Sequence, residues 1–221
     1  MRVIDFYDRH PISEQQVLAA VAGRRGGALG TLTAEDLFDF DQDHYGGLAA
    51  VDTLARRAAI TAGSRILDVC AGLGGPARFL ASRRGASVVA LELNAGRAAG
   101  CARLPQRVGL AVRARVVRGD ATALPFAPGV FDACVSQEAL LHVPDKLAVL
   151  HGCHRVLVPG GASYRALLGR ARFASVEAED LSTPSSWISS RRASSAAGAS
   201  PPRADQRGRR AARVAWSPSS V

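Results

Sequence analysis

Ile66–Ala81, ILDVCAGLGGPARFLA, is the stretch from which the rest of the chain is read. Ile66, Leu67 and Val69 predict a buried strand, with Asp68 at its end. Gly72, Gly74 and Gly75 predict a tight turn. Pro76 stands near the first position of a helix, where its missing N–H leaves no bond unmade. Glycine lets a backbone approach a ligand closely, and a helix start offers N–H groups without intrahelical partners.

Two ligands suit such a turn. A dinucleotide would set its pyrophosphate on the helix N-terminus, and GLGGPA satisfies the loose G-x-G-x-x-G/A pattern of nicotinamide and flavin enzymes. S-adenosylmethionine has no phosphate and would lay its amino-acid end over the turn. The glycines alone do not separate the two, so the decision falls to the segments downstream.

Composition narrows the classes. The chain of 221 residues suits one domain with a full core and leaves little for a second. Aromatic residues are 5% against 48% hydrophobic overall, which fits an Ala/Leu/Val-rich α/β enzyme better than an all-β protein. No apolar run reaches the length of a membrane span, and MRVIDFYDRHP lacks the apolar core of a secretory signal. Cys70, Cys101, Cys134 and Cys153 form no C-x-x-C pair, so reduced thiols in a cytoplasmic protein are expected. The net charge of +9 raises the question of nucleic acid. Roughly two-thirds of that excess lies beyond Gly161, outside the globular pattern, and the globular part is only mildly basic with no interleaving of basic and aromatic residues, which argues against a nucleic-acid partner.

Upstream of the glycine turn, residues 1–62 read as a helical prelude. Ser13 with Gln16 has capping-box spacing, and Val17, Leu18 and Val21 follow on one helix face. Gly23–Gly30 is a break. Thr33 with Asp36 suggests a second cap, and from Gly47 the residues Val51, Leu54, Ala58 and Ile60 keep helical spacing. Between them, FDFDQDHYGG (Phe38–Gly47) alternates acids in a manner similar to a calcium loop, but His44 and Ala50 stand where that loop needs Gly and Glu. Composition favours a plain acidic loop; the alternative is a ligand-facing loop in which Tyr45 offers a ring and a hydroxyl. The prelude itself serves either as packing or as a lid over a substrate pocket.

Downstream, Ala86–Leu91 predicts a second strand ending at Glu92, with Asn94 placed to cap the next helix. A carboxylate about 20 residues past the turn is placed to accept bonds from ribose hydroxyls. Strands at Val112–Val117 and Phe131–Ser136 follow, then a helix over Asp145–Leu157 with Leu147, Leu150 and Leu157 inward, stopping at Pro159-Gly160-Gly161. The order predicts a doubly wound, mostly parallel Rossmann-like α/β sheet with an N-terminal helical lid. Asp68, Glu92, Asp120 and Gln137 all fall at or just past strand ends, where such sheets bind ligands. His151, Cys153 and His154 share a helix without gathering on one face, so no metal site is expected.

In sequence order, ILDVCAGLGG, VVALELN, RGDATALPF, FDACVSQEALLHVPDK and RVLVPGG resemble class I S-adenosylmethionine-dependent methyltransferases over residues 38–161. The nearer resemblance is to the branch containing glycine/sarcosine and phosphoethanolamine N-methyltransferases and quinone C-methyltransferases. It implies an enzyme moving a methyl group from S-adenosyl-L-methionine to a small-molecule acceptor, on nitrogen or carbon. Asp68, Gly72 and Gly74 would hold the methionine end, Glu92 the ribose, and Asp120 with the Ala121 N–H the adenine, with Gln137 beside the transferable methyl. Glu138 and His142 hold the places of an acid and a histidine that face the acceptor, with Tyr45 approaching from the lid. Cys70 stands where the family has a glycine, which is tolerable with negative φ. An NAD(P)-dependent oxidoreductase needs no DATALPF segment and starts nearer its first strand.

After Gly161 the resemblance stops. Ala162–Leu168 would make a short strand, closing a cofactor domain of residues 63–168 with incomplete C-terminal strands. Residues 169–221, rich in Ser, Ala, Arg and Pro, read as a disordered tail. The loss of every family feature at one point suggests truncation or a shifted reading frame near Gly161, and a cofactor-binding protein of impaired activity is then the alternative reading. The oligomeric state is left open.

Overall fold

A strand buried on both faces needs neighbours at its edges and helices above and below, and Arg65–Val69 (β1) has them. The computed structural model describes residues 12–158. Before β1 lie α1 (Glu14–Arg24), α2 (Ala34–Leu37) and α3 (Gly47–Arg57). After it come α4 (Gly75–Arg84), β2 (Ser87–Glu92), α5 (Ala95–Arg107), β3 (Ala114–Arg118), β4 (Ala133–Val135) and α6 (Lys146–Val156). Single 3-10 turns occupy Ala121–Ala123 and Leu140–His142.

All four strands pair in parallel, in the order β3-β2-β1-β4. The order reverses at β1, with the next strand in sequence on one side and the last on the other. That reversal opens a crevice at the carboxyl ends of β1 and β4. Alternation along the strands sorts the core into two layers. Ile66, Val88, Ala90, Ala133 and Val135 pack with Val51, Leu54, Ala77 and Leu80 of α3 and α4. Leu67, Val69, Leu91 and Cys134 face the other way, onto Val149, Cys153 and Val156 of α6. A third cluster joins α1 to α5 through Val17, Val21, Leu73 and Leu104.

The caps read from sequence are present. The Gln16 N–H donates to Ser13 Oγ at 3.3 Å, and the Ser13 N–H donates to Gln16 Oε1 at 2.9 Å. The Thr33 N–H donates to Asp36 Oδ2 at 2.7 Å. Element boundaries shift where local turns win. Arg113 and Ala114 donate back to the Leu110 carbonyl, so β3 starts two residues late and leaves Val112 exposed. Phe131 leaves the β4 ladder and bridges Leu157 in parallel instead. Ile60 is buried past the end of α3, and Leu147 is half-buried, the inward face of α6 being carried by Val149, Leu150, Cys153 and Val156. The expected strand at 162–168, the tail at 169–221 and the first eleven residues of the prelude lie outside the described residues. No helix among the described residues is long and apolar enough to cross a membrane.

The reading of Phe38–Gly47 as a plain acidic loop is overturned. Asp41 and Arg78 both have fully buried side chains and form an ion pair. Arg78 Nε and Nη2 donate to Asp41 Oδ2 at 3.0 and 2.8 Å, and Arg78 Nη1 donates to the Leu73 carbonyl at 2.6 Å. A buried guanidinium is tolerated only with its charge matched and its donors used. The pair therefore pins the loop onto α4, and the Asp41 carbonyl lies where a side chain on Gly75 would stand, 2.2 Å from its Cβ position. Composition shows the acids of this loop but not the arginine 37 residues on that requires one of them. Asp41→Ala should cost about 3–5 kcal/mol, because it strands a buried cation. Urea denaturation followed by circular dichroism measures this, and Asp41→Leu combined with Arg78→Met should recover most of the loss.

Candidate functional site

The crevice at the strand ends is a cavity of about 820 Å³, walled by the glycine turn, the tips of β2 and β3, the segment after β4 and the loop Asp41–Tyr45. Nine of the ten residues singled out from sequence line it: Tyr45, Asp68, Gly72, Glu92, Asp120, Ala121, Gln137, Glu138 and His142. The tenth, Gly74, does not. It has φ 76°, and a Cβ there would stand 2.5 Å from the Cys101 sulfur, so it serves the close packing of α5 on the turn. The prelude is a wall of the site and not packing alone.

The turn is tighter than the sequence implies. Cys70 has φ 60°, against the negative φ expected of a residue replacing the family's glycine. The left-handed region costs a non-glycine residue about 1–2 kcal/mol, so local strain is held by the surrounding contacts. Glu138 also has positive φ, at 54°, and both strained residues line the cavity. Burial, with the Glu92 and Asp68 carboxylates nearby, pushes the Cys70 thiol up to about 12, so it stays protonated at neutral pH.

Each carboxylate at a strand tip is held differently. Glu92 accepts from the Gly72 N–H at 2.9 Å through Oε2 and from the Asn94 N–H at 2.8 Å through Oε1, which fixes its plane at the end of β2. Asp120 uses Oδ1 to accept from the Thr122 N–H and hydroxyl, both at 2.8 Å, and so starts the 3-10 turn that carries Ala121. Asp68 Oδ2 is buried and takes no hydrogen bond among the described residues; Gln137 Oε1 is in the same condition. Buried polar atoms are ordinarily paired, so two orphaned acceptors on one cavity wall mark places for a ligand's donors. Burial first, then the Glu92 charge, raises the Asp68 carboxyl to about 7.

On the opposite wall, the Tyr45 N–H donates to Glu138 Oε1 at 3.0 Å, tying the N-terminal loop to the segment after β4. The Tyr45 side chain is 76% exposed at the mouth. Burial raises the Glu138 carboxyl above its ordinary range. Burial, aided by the Lys146 charge, lowers His142 below its ordinary value, which favours a neutral imidazole at pH 7. Lys146 itself caps this turn, donating to the Val143 carbonyl at 3.0 Å.

Three further charged residues line the cavity: Asp41 and Asp43, two of the alternating acids of the Phe38–Gly47 loop, and Arg97, which no local signal marks. Arg97 reads as one more cation on an exposed helix, yet it is 6% exposed. It turns in because the Asn94 side chain accepts from its backbone N–H at 2.9 Å and starts α5 beside the turn.

The comparisons with known proteins follow the same residues. Residues 67–164 match the Methyltransf_11 family of methyltransferase domains. A sterol 24-C-methyltransferase of Gibberella zeae is 36% identical over 108 residues, which cover 49% of this chain and 28% of that protein. The chain thus spans under a third of that relative's length. A protein described as a sarcosine dimethylglycine methyltransferase from Galdieria sulphuraria is 33% identical, with a TM-score of 0.50 over 52% of this chain and 43% of the other. The Haemonchus contortus phosphoethanolamine N-methyltransferase 2, solved with S-adenosylhomocysteine, shares the fold at 23% identity and a TM-score of 0.56, over 73% of this chain and 34% of that one.

The Asp68 carboxyl gives a pH dependence of known sign. Its folded value lies above the ordinary 3.8, so its contribution to stability is full below that value and is lost as pH rises through about 7. The ligand-free wild type should therefore lose stability relative to Asp68→Asn between about pH 4 and 7, on the order of 4 kcal/mol in all. Paired urea titrations across that range read the difference; a constant offset contradicts it.

Proposed function

We propose that this chain, which carries a class I methyltransferase domain across residues 67–164, transfers the methyl group of S-adenosyl-L-methionine to a small-molecule acceptor on nitrogen or carbon, in the cytoplasm. One observation carries the reading: Asp68, Glu92, Asp120 and Gln137, spread over seventy residues of sequence, meet around one cavity at the switch point of a parallel sheet.

The residues fit the group. The cavity wall bears six carboxylates, on Asp41, Asp43, Asp68, Glu92, Asp120 and Glu138, a setting that favours a cationic ligand. Asp68 Oδ2 is available to an ammonium, and Glu92, oriented by two backbone N–H groups, keeps lone pairs for ribose hydroxyls. Asp120 Oδ2 and the Ala121 backbone N–H would receive the adenine amino group and ring. When bound, S-adenosylmethionine supplies a methyl on a positively charged sulfur, already a strong electrophile.

The protein is then asked for position, dryness and a proton acceptor. Gln137 and Tyr45 would lie to either side of the transferred methyl. Glu138 and His142 stand on the acceptor wall. A neutral His142 can take the proton that an amine acceptor must lose before or during attack. The sterol relative methylates carbon and the N-methyltransferase neighbours nitrogen, so both acceptor types belong in a substrate panel.

Calorimetric titration of the chain with S-adenosylhomocysteine should show saturable heat; folded protein without it would defeat the reading. Transfer of labelled methyl to a panel of amines and unsaturated sterols should then identify an acceptor, and binding without transfer would leave a cofactor-binding protein. His142→Ala should lower kcat by about a hundredfold, the lower range for loss of a general base. Its S-adenosylhomocysteine affinity should stay within about threefold, because the imidazole lies on the acceptor side and a threefold change is under 1 kcal/mol.

A further inference from the structure

We infer that Arg97 receives the carboxylate of the cofactor's amino-acid end, an assignment that rests on the S-adenosylmethionine reading above. Among the described residues lining the cavity, Arg97 is the only arginine or lysine, set against six carboxylates. A ligand that brings a carboxylate into such a wall is repelled everywhere except at this guanidinium.

The glycine turn offers fewer donors to an anion than its glycines suggest. Its Gly72 N–H is given to Glu92 Oε2 and its Gly74 N–H to the Ala71 carbonyl, at 2.9 and 2.8 Å. Two of the donors that would otherwise cradle an anion are thus used within the protein. The Arg97 guanidinium lies against the turn: a Cβ on Gly72 would stand 2.6 Å from Nη2, so only glycine leaves room for it. It is buried to 6% exposure and aimed by contacts to Asp43 through Nη2 and to the Ile12 carbonyl through Nη1 at 3.4 Å.

A guanidinium presents five N–H donors in a planar fork, so a ligand carboxylate can bind beside Asp43 or take its place. Asp68 and Arg97 then serve the two ends of one zwitterion, the acid its ammonium and the base its carboxylate. Arg97 acts in ligand recognition, and touches no reacting atom.

The test compares two ligands on the full chain: S-adenosylhomocysteine, and S-adenosyl-3-thiopropylamine, which keeps the amine and lacks only the carboxylate. Arg97→Met should weaken S-adenosylhomocysteine about 10- to 100-fold, the range for a charge-assisted bond, and change the decarboxylated ligand by less than about threefold. The wild type should prefer S-adenosylhomocysteine, and the variant should lose that preference. Should the unpaired Asp43 prevent folding, Arg97→Met with Asp43→Asn removes both charges and keeps the comparison. Equal weakening of both ligands, or none, overturns the assignment. A wild type that binds neither ligand overturns the cofactor reading and this inference together. One that binds both equally, with Arg97→Met unchanged, overturns this inference alone.

Discussion

A charged side chain without solvent must find its opposite, and here that requirement joins the two parts of the molecule. Arg78, on the helix after the glycine turn, is fully buried and is neutralised by Asp41. Asp41 belongs to the segment before the sheet, so the ion pair lays that segment over the turn and makes one cavity from two pieces of chain. Had the arginine been an ordinary apolar residue, the N-terminal loop would have lost its fully buried ion pair and kept the one between Asp43 and Arg97. Gly75 completes the arrangement by leaving space for the Asp41 carbonyl.

Much of the site is a consequence of parallel-sheet geometry. Strands of one direction bring their carboxyl ends to one rim, and a polar residue at each tip has nowhere else to point. Asp68 and Glu92 sit in adjacent strands, and Glu92 is oriented by backbone donors from the turn and from the next helix. The resulting field is strongly acidic. Burial first, and this field second, keep the Cys70 thiol protonated and raise the Asp68 carboxyl to about 7. An acid in that state changes its charge readily when a cation arrives.

The parallel sheet and the carboxylates at its rim were legible because apolar runs, glycine turns and polar strand tips are local patterns with fixed spacing. Helix caps at Ser13, Thr33 and Asn94 were legible for the same reason. What sequence did not reveal depends on distant partners. The acidic loop looked like a solvated one, because its buried partner Arg78 lies 37 residues away. Arg97 carries no signal in its own neighbourhood, because only the placement of α5 turns it inward. The positive φ of Cys70 could not be read from a thiol in place of glycine, since the strain is imposed by the turn around it.

The bond from the Tyr45 backbone to Glu138 spans 93 residues and gives the acid two duties at once. It is a strut for the covering loop, and its carboxyl, raised by burial, is drawn back down by the same bond. Losing the loop would remove that bond and part of the burial together, two changes that push the carboxyl in opposite directions. The covering loop and the segment after β4 are thereby held as one wall, and a change in either is felt by the other.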